Sequence, residues 1–184
     1  MSLTVGIVGL PNAGKSTLFN ALTMASAEAS NYPFCTIEPN VGVAHVPDRR
    51  LDRLKQILRP ASCTPASILF TDIAGLVRGA SRGEGRGNAF LDDIRKTDAL
   101  LHVVRCFENP SVSHIDGVVN PLRDIAVMDS ELILADLQVV EGIIPNLEKV
   151  VASDKKSPRK AELDVLRQVS SALEDGRRVF SLGL

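Results

Sequence analysis

Tryptophan is absent from this sequence, tyrosine occurs once, and six phenylalanines complete the aromatic set. So few rings leave little material for stacking on exposed bases, which argues against a single-stranded nucleic-acid platform. Cysteine is scarce too: Cys35, Cys63 and Cys106 are far apart, odd in number and without a CxxC pair. That pattern is neither a disulfide framework nor a zinc site, and it fits reduced thiols in a cytosol. Charge of one sign is also missing. With a formal net charge of -1, no global field draws the chain to DNA or to a lipid surface, so neither partner is expected. No run approaches the roughly 18 apolar residues of a membrane span, and MSLTVGIVGLPNAGKS lacks the basic start of a signal peptide. A cytoplasmic location is the expectation.

What is present is ordinary in amount and specific in order. The chain has 184 residues, 45% of them apolar and 23% charged, enough for one domain with a real core. LTVGIVG (Leu3 to Gly9) reads as a buried strand and Lys15 to Met24 as a helix. VGVAHV (Val41 to Val46) follows as a strand and Arg49 to Leu58 as a helix stopped by Pro60. SILFTD (Ser67 to Asp72) and ALLHVVRCF (Ala99 to Phe107) read as further buried strands, with Ala89 to Lys96 a helix between them. Strands alternating with helices predict a doubly wound, mostly parallel α/β sheet. From Ser130 the pattern changes. Ile133, Leu137, Val140, Ile144, Leu147 and Val151 make a heptad seam, a basic break follows, and Leu163, Leu166, Val169 and Leu173 resume helical spacing. This is a helical hairpin, or two amphipathic helices packed on the domain, with Pro145 expected to kink the first.

GLPNAGKS (Gly9 to Ser16) matches G-x-x-x-x-G-K-[ST] at every fixed position, after a strand and at the start of a helix. Its glycines let backbone amides face a phosphate chain, and the helix N-terminus adds positive potential. Lys15 is the candidate for the β- and γ-phosphates, and Ser16 for magnesium. Asp72, at the end of an apolar strand and followed by Ala74-Gly75, is the candidate aspartate behind magnesium's water shell. Gly75 would allow an amide to approach the γ-phosphate. Thr36, in the polar loop NYPFCTIEPNVG, is the candidate magnesium-sensing threonine; the alternative is a solvated loop residue. The glutamine that often follows such a glycine and orients water is replaced by Leu76. His114, in the loop ENPSVSHIDG, is the candidate replacement; the alternative is a loop histidine without a role.

Together, GLPNAGKSTLFNALT, NYPF-T-EPNVG, DIAGLVRGAS-GEG-GN-FL and TDALLHVVRCFEN resemble the Obg-like ATPases of the YchF family. The resemblance implies a Ras-like P-loop NTPase (OBG-type G domain) at residues 1–128 and a coiled-coil hairpin insertion at 129–175. Residues 176–184 would begin the returning strand. A C-terminal TGS domain, the last strands and the base-reading motif would lie beyond this chain, as in an N-terminal fragment. It further implies that Gly9, Asn12, Ala13, Gly14, Lys15, Ser16, Thr17 and Gly75 bind nucleotide, and that Ser16, Thr36 and Asp72 serve Mg2+. Asn12 is similar to the asparagine of potassium-activated relatives, which adds K+ as a second cation. Leu76 is the apolar substitution of that family, and Arg86 departs from its pattern. The implied activity is hydrolysis of ATP, or GTP, as a switch at the ribosome; the alternative is a nucleotide-sensing module with negligible hydrolysis. The basic turn with Lys155, Lys156, Arg159 and Lys160 is the candidate contact to ribosomal RNA, or else a solvated tip.

Overall fold

The computed structural model describes residues 3–27, 40–73, 87–154 and 157–183. Their order is β1 (Leu3–Val8), α1 (Lys15–Ala27), β2 (Val41–His45), α2 (Arg49–Leu58), β3 (Ser67–Asp72), α3 (Gly87–Arg95), β4 (Ala99–His102), α4 (Pro121–Ser153), α5 (Arg159–Glu174) and a 3-10 turn (Val179–Leu182). The chain divides into two compact units, Met1–Val77 with Ala89–Pro121, and Arg78–Asn88 with Leu122–Leu184.

The first unit is built on a four-stranded sheet in the order β2-β3-β1-β4. β1 pairs in parallel with β3, from Leu3↔Ile68 to Ile7↔Asp72, and with β4, from Val5↔Ala99 to Val8↔His102. β2 runs antiparallel to β3, from Val41↔Thr71 to His45↔Ser67. The mostly parallel α/β sheet expected from the alternating pattern is therefore present. As a central strand, β1 is covered on both faces, which explains its run of apolar residues. Val5, Ile7 and Phe70 form the buried centre, with Phe19 and Leu22 of α1 packed against it. Full burial of a side chain such as Ile7 stabilises the fold by about 1.5–3 kcal/mol.

Two local starts follow from sequence chemistry. Asp48 caps α2: its backbone is extended, and its side chain accepts from the Arg50 amide at 2.9 Å, which satisfies one orphan donor of the first turn. Pro121 opens α4, where its missing N–H costs nothing and its fixed φ suits a helix.

β4 departs from expectation. The apolar run points to a buried strand over 99–107, yet the ladder ends at His102, and Leu100 and Leu101 are about one-third exposed at the sheet edge. The reason lies in its partner. β1 ends at Val8, the Val103 amide donates the last bond to Val8 O at 2.8 Å, and Gly9 then turns away.

The second unit contains the helical hairpin. Glu148 pairs with Arg167 at 2.7 Å, and Asp129 pairs with Arg178, so the two helices run antiparallel. Val140, Val169 and Leu173 are buried between them, joined by Ile133, Leu137, Ile144 and Leu166. α4 begins at Pro121 rather than at 129, and it continues through Pro145. Residues 176–184, expected to start a strand, instead hold the 3-10 turn. Val179 and Leu182, three apart, pack onto the hairpin cluster, and the Ser181 amide bonds Arg178 O at 2.9 Å. Three-residue periodicity puts both side chains on one face, so covering the hairpin wins over extending. None of the described helices is long and apolar enough to cross a membrane.

Candidate functional site

The loop from Gly9 to Gly14 is shaped by three positive φ angles: 153° at Gly9, 61° at Asn12 and 103° at Gly14. A Cβ on Gly9 would lie 2.3 Å from the Val103 carbonyl oxygen, so only glycine lets β1 leave the sheet there. A Cβ on Gly14 would meet nothing within 4 Å; that position needs glycine for its backbone alone. The Ala13 amide bonds Leu10 O at 3.3 Å, and the Leu18 amide bonds Gly14 O at 3.0 Å. The loop thus passes directly into α1, whose first amides are the free donors of a helix N-terminus.

Lys15 is buried, and its Nζ donates to Leu10 O at 3.0 Å. The long side chain thus folds back over the loop. Burial pushes the ammonium below the usual lysine range, with the charge of Asp72 opposing that fall. Beside it, the Ser16 hydroxyl donates to Asp72 Oδ2 at 2.6 Å. Asp72 is fixed in turn by its amide, which donates to Asn40 O at 2.9 Å where β2 begins. The pairing of β1 with β3 sets Ile7 opposite Asp72, which is why residues 56 apart in sequence meet. Two hard oxygen donors side by side next to a lysine suit a small divalent cation such as Mg2+.

Asn12 reaches the other way, its Nδ2 donating to Ser113 O at 3.1 Å. The loop of His114 is therefore attached to the Gly9–Gly14 loop. The half-buried His114 accepts at Nδ1 from the Asp116 amide at 3.1 Å. It lines a cavity of about 400 Å³ with Arg105, Asn109 and Ser113. Thr17 is exposed on the first turn of α1. Thr36, Gly75, Leu76, Arg86, Lys155 and Lys156 lie outside the described residues.

Arg105 escaped the sequence reading. It is 3% exposed, and the run VVRCF that contains it reads as the end of a strand. The available signal was an arginine in an apolar run, because arginine is seldom fully buried without partners.

Strand, glycine-framed loop, buried lysine, serine and strand-end aspartate together have the arrangement found in P-loop nucleoside triphosphatases. The family model described as 50S ribosome-binding GTPase matches residues 4–140. The ribosome-binding ATPase YchF of Haemophilus influenzae is 53% identical over 184 residues, all of this chain and 50% of that protein. Obg-like ATPase 1 of Caenorhabditis elegans is 46% identical over 178 residues, covering 97% of this chain and 45% of its own length. The solved structure of the Schizosaccharomyces pombe YchF GTPase superposes with a TM-score of 0.77 at 38% identity, covering 95% of this chain and 47% of its own. The chain belongs to the YchF family within the 50S ribosome-binding GTPases. It spans about half the length of the curated relatives it matches.

Proposed function

We propose that this chain carries the nucleotide site of a Mg2+-dependent NTPase that hydrolyses ATP, with GTP as the alternative substrate, and acts as a slow switch at the ribosome. The observation that carries this reading is the 2.6 Å contact between Ser16 and Asp72 beside the buried Lys15. Ser16 and Asp72 would hold Mg2+, Asp72 through its water shell. Bound there, the ion would neutralise charge on the β- and γ-phosphates. Lys15 places a second positive charge on the same oxygens, and the loop amides and the α1 N-terminus bind the chain of phosphates.

Hydrolysis is an in-line attack of water on the γ-phosphorus, which breaks its bond to the β–γ bridging oxygen. His114 is the side chain assigned to orient that water, in place of the glutamine that Leu76 replaces. Its cavity and the attachment of its loop through Ser113 and Asn12 support the assignment. Thr36 and Gly75 complete the proposed set around the γ-phosphate. The Asn12 amide oxygen is the atom that K+ would use.

Ribosome binding is carried by the names of the relatives, and for this chain we assign it to the helical hairpin together with a further domain. Arg159, at the hairpin turn, is paired to Glu162 at 2.9 Å, so Lys155, Lys156 and Lys160 supply most of the available charge. Phosphate release from ATP in a single turnover, with Mg2+ and K+ present, tests the enzyme reading. A tightly bound nucleotide that yields no phosphate would reduce the protein to a sensing module. Ribosome co-sedimentation unchanged after neutralising all four basic residues would remove the turn from the contact.

A further inference from the structure

We propose that Arg105 is a positioning residue for the nucleotide site, holding the Ser113 carbonyl where Asn12 of the phosphate-binding loop can bond it. Arg105 is 3% exposed, just after β4. Its Nε donates to Phe107 O at 3.1 Å, its Nη2 to Asn109 O at 3.2 Å and its Nη1 to Ser113 O at 3.4 Å. The guanidinium also lies over the Phe107 ring, 5.2 Å from its centroid. One planar fork thus gathers three carbonyls of its own loop.

A buried cation is costly unless its donors are used. Here they are used on backbone dipoles, so the path of residues 107–113 is dictated by the guanidinium. Ser113 O is the point where this order passes outward, because it accepts from both Arg105 Nη1 and Asn12 Nδ2. Asn12 has a φ of 61°, a left-handed conformation that is uncommon outside glycine and that asparagine adopts with the support of side-chain hydrogen bonding. Arg105 supplies that support through one shared oxygen, and the same loop delivers His114. A lysine could not do this, since a point charge on a flexible stem cannot serve three fixed carbonyls.

The loop linkage is independent of nucleotide, whereas its effect on affinity rests on the function proposed above. The test uses Arg105→Lys, Asn12→Ala and the double variant of this chain, with amide hydrogen exchange and titration of a fluorescent ATP analogue. Each single variant should speed exchange at residues 9–14 and weaken the analogue by about threefold to tenfold, the net size of one ordinary hydrogen bond. The double variant should be little worse than either single one, because both cut the same link. Additive losses would overturn the proposal. So would an Arg105→Lys protein of lowered Tm whose analogue affinity and exchange at residues 9–14 match the parent. Should Arg105→Lys not fold, Asn12→Ala alone decides. Faster exchange at residues 109–114 supports the link, and parental exchange there overturns it. A parent that binds no analogue refutes the nucleotide reading, while the exchange result still decides the link.

Discussion

The Ser16 hydroxyl donates to the Asp72 carboxylate across 2.6 Å, tying the first turn of α1 to the end of β3. Both oxygens are proposed to serve one cation, so removing either should act through that cation. Ser16→Ala should weaken Mg2+-dependent binding of a nucleoside triphosphate by roughly tenfold to a hundredfold, and Asp72→Asn should reduce its dependence on Mg2+. Titration with and without the metal checks this; a Ser16→Ala protein with the parental response to Mg2+ would refute the assignment.

Lys15 gives a prediction with opposite signs for stability and binding. Its folded-state pKa is depressed by burial, so the folded protein binds fewer protons than the unfolded chain just below the ordinary lysine range. The penalty for the buried charge is therefore complete below the depressed folded-state value, and it fades as pH rises from there towards 10.5. Lys15→Met should raise Tm at pH 7 while abolishing triphosphate binding. The gain should shrink as melting is repeated at pH 9 and pH 10.

The two glycines of the loop should fail differently. In Gly9→Ala the new methyl would collide with the Val103 carbonyl, a backbone clash that costs about 3 kcal/mol or more of stability. Gly14→Ala meets no neighbour. It should cost only about 1–2 kcal/mol from its left-handed backbone, yet lose nucleotide binding as the loop changes shape. Denaturant unfolding beside ligand titration separates the two. Equal stability losses would contradict the distinction.

In the hairpin, Leu173 is 2% exposed within the cluster of Val140 and Val169. Leu173→Ala should lower stability by about 2–5 kcal/mol. Urea unfolding followed by helical circular dichroism measures it, and a change below 1 kcal/mol would mean that the site collapses around the smaller side chain.

At the start of α2, Asp48 is held at about 2 by its hydrogen bonds to the Arg50 side chain and amide. A depressed carboxylate stabilises above its unfolded value near 4, and that stabilisation is lost as pH falls through about 2. Asp48→Ala should fray α2, and the difference in Tm from the parent should narrow between pH 4 and pH 2.

The bend of the Gly9–Gly14 loop into α1 was legible because its requirements are local: glycines where the backbone needs them, and a helix that opens at Lys15. Asp72 was legible because an acidic residue closing an apolar strand breaks its own pattern. The hairpin seam was legible by periodicity, but its start was missed, although Asn120-Pro121 is a helix-opening pair. The end of β4 was hidden because it depends on where β1 turns away, and no run of residues 99–107 encodes that. Arg105 was hidden for a related reason: its partners are backbone carbonyls, which carry no side-chain signature. The 3-10 turn at Val179 reflects the hairpin cluster beside it rather than its own apolar composition.

The bond from the Asp72 amide to Asn40 O, with Val41 opposite Thr71, makes residues 40 and 72 the next rung of the same antiparallel ladder. Residue 40 leads into β2 and residue 72 ends β3, so the two strands are pinned at that end of the sheet. Loosening that one bond should therefore loosen the start of β2 and the end of β3 together.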